Sequence, residues 1–388
     1  MEFISTRGDE RVNGARAIVQ GIASDGGLFV PERFPSVSEA EISSMLDMDY
    51  PERAALILHK FFDEFDKDGL LAALQEAYSR FEEGDAAPLV KVENGMYMLE
   101  LFHGPSCAFQ DLPLTVLPYL LKKGCELCGI KEELLVLAAT SGDTGKATLE
   151  SFAGVAGTKV LVFYPEEGVS KMQKLQLGVQ DGENLNVVAV RGTFDDCQRG
   201  VKKILTSTEC AEALKKKGVV LASANSMNVG RLVLQIAYYF SAYCDLLTSE
   251  QINYGDKVDF TVPTGNFGNI LAAYYAKKMG LPVGTLLCAS NANHAVTDFI
   301  QKGTYDGGKT LRRTMSPAMD VSVSSNVERL IFEVSGRNAE LTNERMKSLN
   351  ETGKYTVSAS ELKEIRKSFS AGVTNDADMV DCIYEFFT

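Results

Sequence analysis

At 388 residues, of which 45% are hydrophobic, the chain has the length for two or three domains and the material for a real core. Its 52 acidic against 39 basic residues leave a formal net charge of −13, which argues against nucleic acid or an anionic membrane as partner, since both need a basic footprint. An anionic small substrate stays open, because a few local donors bind a phosphate against an acidic background.

No apolar run approaches the roughly 18 residues of a membrane span, and residues 1–10 lack an apolar signal core. Eight scattered cysteines without disulfide spacing predict a reduced, cytoplasmic protein. Cys125 and Cys128 form a lone CxxC, read as two loop-edge thiols because no second pair or histidine cluster accompanies them. No metal site is expected.

Residues 1–88 read as a helical N-terminal region. Gly14 to Ile22 predicts a short helix, Ser24 to Gly27 a turn, and Leu28 to Pro31 a buried edge segment closed by proline. Ser38 and Glu41 make a capping box. Arg53 to Phe65 and Leu70 to Phe81 carry apolar residues at helical spacing and read as packing helices. Residues 89–132 begin with a hairpin about Asn94-Gly95. Its second strand runs into His103-Gly104-Pro105, and a helix follows from Leu112 to Leu121, kinked at Pro118.

From Leu134 strand and helix alternate. Strands are predicted at 134–139, 158–163, 185–190 and 219–222, with helices at 144–153, 171–177 and 194–205. Near-continuous apolar strands imply a parallel sheet covered on both faces, an inserted small α/β domain over 133–225. Residues 226–388 form a larger α/β domain: a long helix from Val229 to Leu246, strands at 258–262 and 285–289, a helix to Lys278, a capping box at Ser358 and Glu361 ahead of a helix to about Phe369, and a last helix from Met379 to Phe387.

Two Gly-rich loops lie between a strand and a helix, where ligands sit in open α/β sheets. Gly265-Asn266-Phe267-Gly268-Asn269 suits a phosphate, and Thr140-Ser141-Gly142-Asp143-Thr144-Gly145 suits a carboxylate or phosphate. Either could be only a tight turn, but two in sequence strengthen the ligand reading. The P-loop pattern fails at Thr140 and Ala147, and neither GxGxxG nor GxSxG occurs. His103 could be a base or could order its loop. Cys107 could be a nucleophile or a packing residue, though nothing supplies a paired base. Ser226 or Asn228 could cap a helix, or with Arg231 form a second oxyanion clamp.

Taken together these segments resemble the threonine synthase family of fold type II pyridoxal-phosphate enzymes. The resemblance rests on Ser5 to Gly8, Asp25 to Pro31, Glu100 to Pro105, Thr140 to Gly145, Ser223 to Asn228, Pro263 to Gly268 and Ala318 to Val321, and it extends over essentially the whole chain. It implies conversion of O-phosphohomoserine and water to threonine and phosphate, with pyridoxal 5′-phosphate as cofactor. It also implies that Gly265, Asn266, Phe267, Gly268 and Asn269 hold the cofactor. Thr140, Ser141, Gly142, Asp143 and Thr144, with Ser226, Asn228 and Arg231, would face the substrate.

Two departures stand out. Where the family's FHGPTxAFKD motif has its imine-forming lysine, this chain has Gln110. An amide nitrogen cannot attack an aldehyde, and glutamine cannot shuttle protons. The family also continues past residue 388 with a proline–histidine and a threonine–histidine–proline segment, so the large domain is expected to be incomplete and the apolar Ile383 to Phe387 to want a partner surface. Covalent attachment of the cofactor is therefore not expected, and activity is expected to be impaired. The alternative is a catalytically dead homologue that binds pyridoxal phosphate or a phosphorylated amino acid.

Overall fold

The computed structural model describes residues 1–387 apart from 83 and 168, the side chain of Phe387 lying outside the described atoms. Two parallel sheets organise the molecule. Strands Glu133–Ala139, Thr158–Pro165, Leu185–Val190 and Val219–Ser223 form a four-stranded parallel sheet with Glu133–Ala139 between Thr158–Pro165 and Val219–Ser223. Val136 and Ala138 are fully buried, as a central strand covered on both faces requires. The covering is incomplete at one edge: Leu185–Val190 leaves Val187 and Val188 exposed, against the expectation of two covered faces. Strands Val258–Pro263, Val283–Ser290 and Phe369–Val373 make the second parallel sheet.

The N-terminal region is a small antiparallel sheet, Glu2–Ser5 between Arg11–Asn13 and Phe29–Pro31, followed by helices. Helices Tyr50–Phe61 and Lys67–Tyr78 begin a turn earlier than the apolar spacing predicts. Capping chemistry sets these starts: Asp49 and Glu52 complete a capping box with Pro51 in the first turn, and the Asp66 carboxylate accepts from the Gly69 N–H. Pro118 does not kink one helix. It lies in the first turn of Leu117–Leu127, separate from Asp111–Leu114, because a proline without an N–H is tolerated at a start and costly inside. The long helix from Val229 is likewise two, Val229–Leu234 and Ile236–Thr248. Phe369 lies in a strand, beyond the helix Ala359–Arg366.

Two cations, one half-buried and one fully buried, tie these parts together. Arg7 forks onto Glu328, with Nε to Oε1 at 2.8 Å and Nη2 to Oε2 at 2.6 Å, and the Thr6 hydroxyl donates to the same carboxylate. Arg329, fully buried, donates to the carbonyls of Phe29 at 3.0 Å and Met227 at 2.7 Å and to the side chain of Asn326. Asn326 in turn donates from its N–H and its side chain to the Asn266 carbonyl. The N-terminal sheet, the 223–228 segment and the 265–269 loop are thus held in one network. Among the described residues no helix is long and apolar enough to cross a membrane. The last helix, Asp376–Phe387, exposes Ile383 and Phe386.

Candidate active site

Strands Glu133–Ala139, Val219–Ser223 and Val258–Pro263 all end at one cavity of about 250 Å³, beyond their carboxyl ends as open α/β sheets favour. The loop after Val258–Pro263 turns into helix Gly268–Lys278 through Phe267, whose φ of +66° is left-handed. The backbone N–H groups of residues 265 to 269 have no partner among the described residues. They open at the N-terminus of an 11-residue helix, so both dipole and donors favour an anion. A Cβ at Gly265 would lie 2.9 Å from the Ala318 carbonyl oxygen; glycine is needed for that approach. Phe267 does not face the cavity. It is fully buried and packs on Phe369 at 5.5 Å between ring centroids, which fixes the loop from behind. The Asn269 side chain is spent on the loop itself, donating to the Pro263 carbonyl, while the buried Oδ1 of Asn266 has no partner.

The second loop is built around Thr140. Its buried hydroxyl oxygen accepts from the N–H groups of Gly142 and Gly145, each at 2.8 Å, so this side chain shapes the turn. Gly142 has φ +146°, and a Cβ there would strike Gln173. Ser141, Asp143 and Thr144 line the cavity and their N–H groups are unpaired among the described residues. Burial pushes the Asp143 carboxyl above the usual carboxylate range, opposed by a hydrogen bond from Gln173 at 3.3 Å.

Of the third group, Ser226 and Arg231 line the cavity and Asn228 does not. The Asn228 side chain donates to the carbonyls of Ile18 and Ser223, each at 2.9 Å, and accepts from the Gly230 N–H. Its polar atoms are consumed as a helix cap and tether. Arg231 is 2% exposed, donates to the Ala224 carbonyl at 3.0 Å and, among the described residues, leaves Nε unpaired and meets no carboxylate. Burial pulls its guanidinium down to about 10.

Gln110 precedes the short helix Asp111–Leu114 and lines the same cavity. It is 7% exposed and neither end of its amide has a hydrogen-bond partner among the described residues, Oε1 being sealed from solvent as well. Beneath it Asp111 is fully buried and accepts from the Ser106 N–H and hydroxyl at 2.8 and 2.6 Å, which closes the His103–Gln110 loop. His103 sits outside the cavity, paired with Glu100 at 2.8 Å. Cys107 is exposed with φ +57° and does not line the cavity. Cys125 and Cys128 lie elsewhere too, and burial raises the Cys125 thiol to about 11.

Ser316, Ala318 and Met319 also line the cavity, from the short 3₁₀ turn Pro317–Met319, as do Phe109, Phe194, Asn225 and Gln235. Asn225 had a readable signal, its place in the polar run before Arg231. The 316–319 turn had no such local signal.

Comparison with known proteins settles the family. A family described as "Threonine synthase N terminus" matches residues 2–78, and one described as "Pyridoxal-phosphate dependent enzyme" matches residues 86–365. A threonine synthase of Pseudomonas aeruginosa is 36% identical over all of this chain and 80% of its own length. The chain belongs to the threonine synthase family of fold type II pyridoxal-phosphate enzymes. A solved Brucella melitensis threonine synthase with pyridoxal phosphate bound superposes with a TM-score of 0.86 at 36% identity, covering 97% of this chain and 78% of that one. Human threonine synthase-like 1 is 36% identical over 98% of this chain and 54% of its own length; the chain spans about half the length of such relatives.

The family's cofactor, pyridoxal 5′-phosphate, meets a divided site. The phosphate end fits: five consecutive unpaired N–H groups at a helix N-terminus and a glycine pressed against Ala318 make a cradle that a side chain would fill. The aldehyde end does not: among the described residues lining the cavity, Arg231 is the one cation, Asp143 the one acid, and none is a lysine.

Proposed function

We propose that this is a threonine synthase-like protein that takes O-phosphohomoserine into the 250 Å³ cavity and converts it to threonine and phosphate very weakly or not at all. Gln110 carries the reading, because the position where the family has its lysine offers an amide and no other described residue lining the cavity offers an amine. Bound cofactor supplies an electron sink to the family's chemistry. In this chain loop 265–269 would hold its phosphate, and Ser141, Thr144, Ser226 and Arg231 would hold and orient the substrate.

Arg231 supports a substrate phosphate, since a buried guanidinium without a carboxylate gains most from an anion. Asn228 and Thr140 would act through the shape of their loops. The deciding assay measures phosphate release and threonine from O-phosphohomoserine with added pyridoxal phosphate. Proton transfer by a positioned amine is worth roughly 10²–10⁴-fold, so Gln110→Lys is expected to raise the rate at least about a hundredfold. Wild-type turnover equal to that of Gln110→Lys would sink the proposal.

A further inference from the structure

A second cavity, of about 910 Å³, shares no lining residue with the first. Small-molecule sites run from roughly 300 to 1,000 Å³. Three parts of the chain build it: the Arg7 and Asp25 loops, one face of helix Phe194–Leu205, and the segments about Val323 and Leu349. Asp195, Gln198, Arg199 and Lys202 line it from the helix, at the spacing of one helical face.

Lys202 is the surplus charge of this space. It is half-buried and, among the described residues, has no hydrogen-bond or ion-pair partner. The neighbouring charges are already engaged. Arg7 holds Glu328, which also accepts from the Thr6 hydroxyl. Asp25 accepts from the Ser5 hydroxyl at 2.8 Å and the Gly27 N–H at 2.7 Å. Arg199 pairs with Asp196, and Lys203 is exposed. Asp195 reaches Ser322 and Val323, and burial pushes its carboxyl up, which weakens it as a counter-charge. Burial likewise pulls the Lys202 ammonium down to about 8, so the nearby acids do not make good its lost hydration. Such a cation gains from an anion that reaches it.

The far end of the cavity is apolar. Val323 and Leu349 are half-buried there, and a Cβ at Gly307 would lie 2.9 Å from Val323 Cγ2 and 3.4 Å from Leu349 Cδ1. The two side chains thus come together over a bare glycine. Asp195 marks this end of the helix, and Lys202 lies two turns further on, roughly 10 Å away. We propose that the second cavity binds a monocarboxylic acid with an apolar body, its carboxylate on Lys202 and its chain running along helix Phe194–Leu205 toward Val323 and Leu349. One surplus cation matches one negative charge, and Glu328 and Asp25 would repel a second, so a carboxylate suits this space better than a phosphate dianion.

Acetylation of the full chain by acetic anhydride at mildly alkaline pH, read lysine by lysine through peptide mass analysis, tests this with octanoate as the probe. An ion pair ties up the amine, so saturating octanoate is expected to slow labelling of Lys202 at least about tenfold, while the exposed Lys347 labels as before. Acetate, too short to reach Val323, is expected to protect only at concentrations at least about tenfold higher. In calorimetry Lys202→Met should raise the octanoate Kd at least about tenfold, and Lys202→Arg, which keeps the charge, should restore it. Cooperative urea unfolding of Lys202→Met like that of the wild type reports that the variant is folded. Unslowed labelling of Lys202, equal octanoate Kd values in the wild type and Lys202→Met, or better protection by inorganic phosphate than by octanoate would overturn the proposal.

Discussion

Arg231→Met makes the sharpest statement about what the cavity is built for. Burial takes the Arg231 guanidinium well below its ordinary range, to about 10, so holding that charge in the folded chain costs about 3 kcal/mol at neutral pH. The sign is that of a base with a depressed native pKa: the penalty is fully present below about pH 10 and fades only above it. Against this stands one charged hydrogen bond, to the Ala224 carbonyl at 3.0 Å, worth about 1.5–3 kcal/mol. Methionine keeps the stem's bulk and removes both. The variant is therefore expected to be as stable as the wild type or up to about 1–2 kcal/mol more stable. Urea unfolding with and without inorganic phosphate reads both halves. Phosphate should raise wild-type stability by mass action more than it raises that of Arg231→Met. A loss of about 3 kcal/mol or more with an unchanged phosphate effect would instead make Arg231 a structural residue that binds no anion.

Other consequences follow from the same geometry. Gly265→Ala places a Cβ 2.9 Å from the Ala318 carbonyl oxygen, and since backbone must yield, affinity for pyridoxine 5′-phosphate should fall about tenfold or more in calorimetry, at a stability cost of about 1–3 kcal/mol. Gly142→Ala forces a side chain into φ +146° and onto Gln173, with an expected cost of about 1–3 kcal/mol in urea unfolding. For Glu328 burial pushes the carboxyl up, but the charges of Arg7 and Lys202 outweigh it and hold the native value below 4.5. The stabilisation is complete above pH 4.5 and is lost as pH falls through that lower native value; Arg7→Ala should remove this acid dependence in unfolding measured across pH.

Much of this was legible in the sequence because local chemistry fixed it. The capping boxes at Ser38 and Ser358 mark real helix starts, and Asn94-Gly95 turns a real hairpin with Gly95 at φ +77°. The central apolar runs of the 133–225 sheet gave themselves away by lacking alternation, whereas in the second sheet Val258–Pro263 alternates and Phe369–Val373 reads into a helix. Helix starts at Tyr50 and Lys67 were readable from Asp49, Pro51 and Asp66, whereas apolar periodicity begins only where a helix meets the core.

Helices Ala295–Lys302 and Ala339–Thr352 went unread although local signals mark them, Gly303 and Gly353 closing them and Asn338 capping the second. The rest depends on contacts distant in sequence. Arg329 owes its burial to Phe29, Met227 and Asn326, residues from three parts of the chain. The 316–319 turn reaches the cavity because Ala318 packs on Gly265. Asn228 looked like a ligand-binding amide for the same reason it is a cap: both uses need a short polar side chain before an apolar helix, and the Ile18 carbonyl decides between them.

Among its described residues the cavity keeps a phosphate cradle and lacks an amine. Borohydride reduction of the protein mixed with pyridoxal 5′-phosphate, followed by peptide mass analysis, tests it most directly, because reduction makes any imine permanent. No adduct is expected on a cavity peptide of the wild type, and an adduct is expected at residue 110 in Gln110→Lys. A wild-type adduct on a lysine whose labelling is blocked by pyridoxine 5′-phosphate would contradict it.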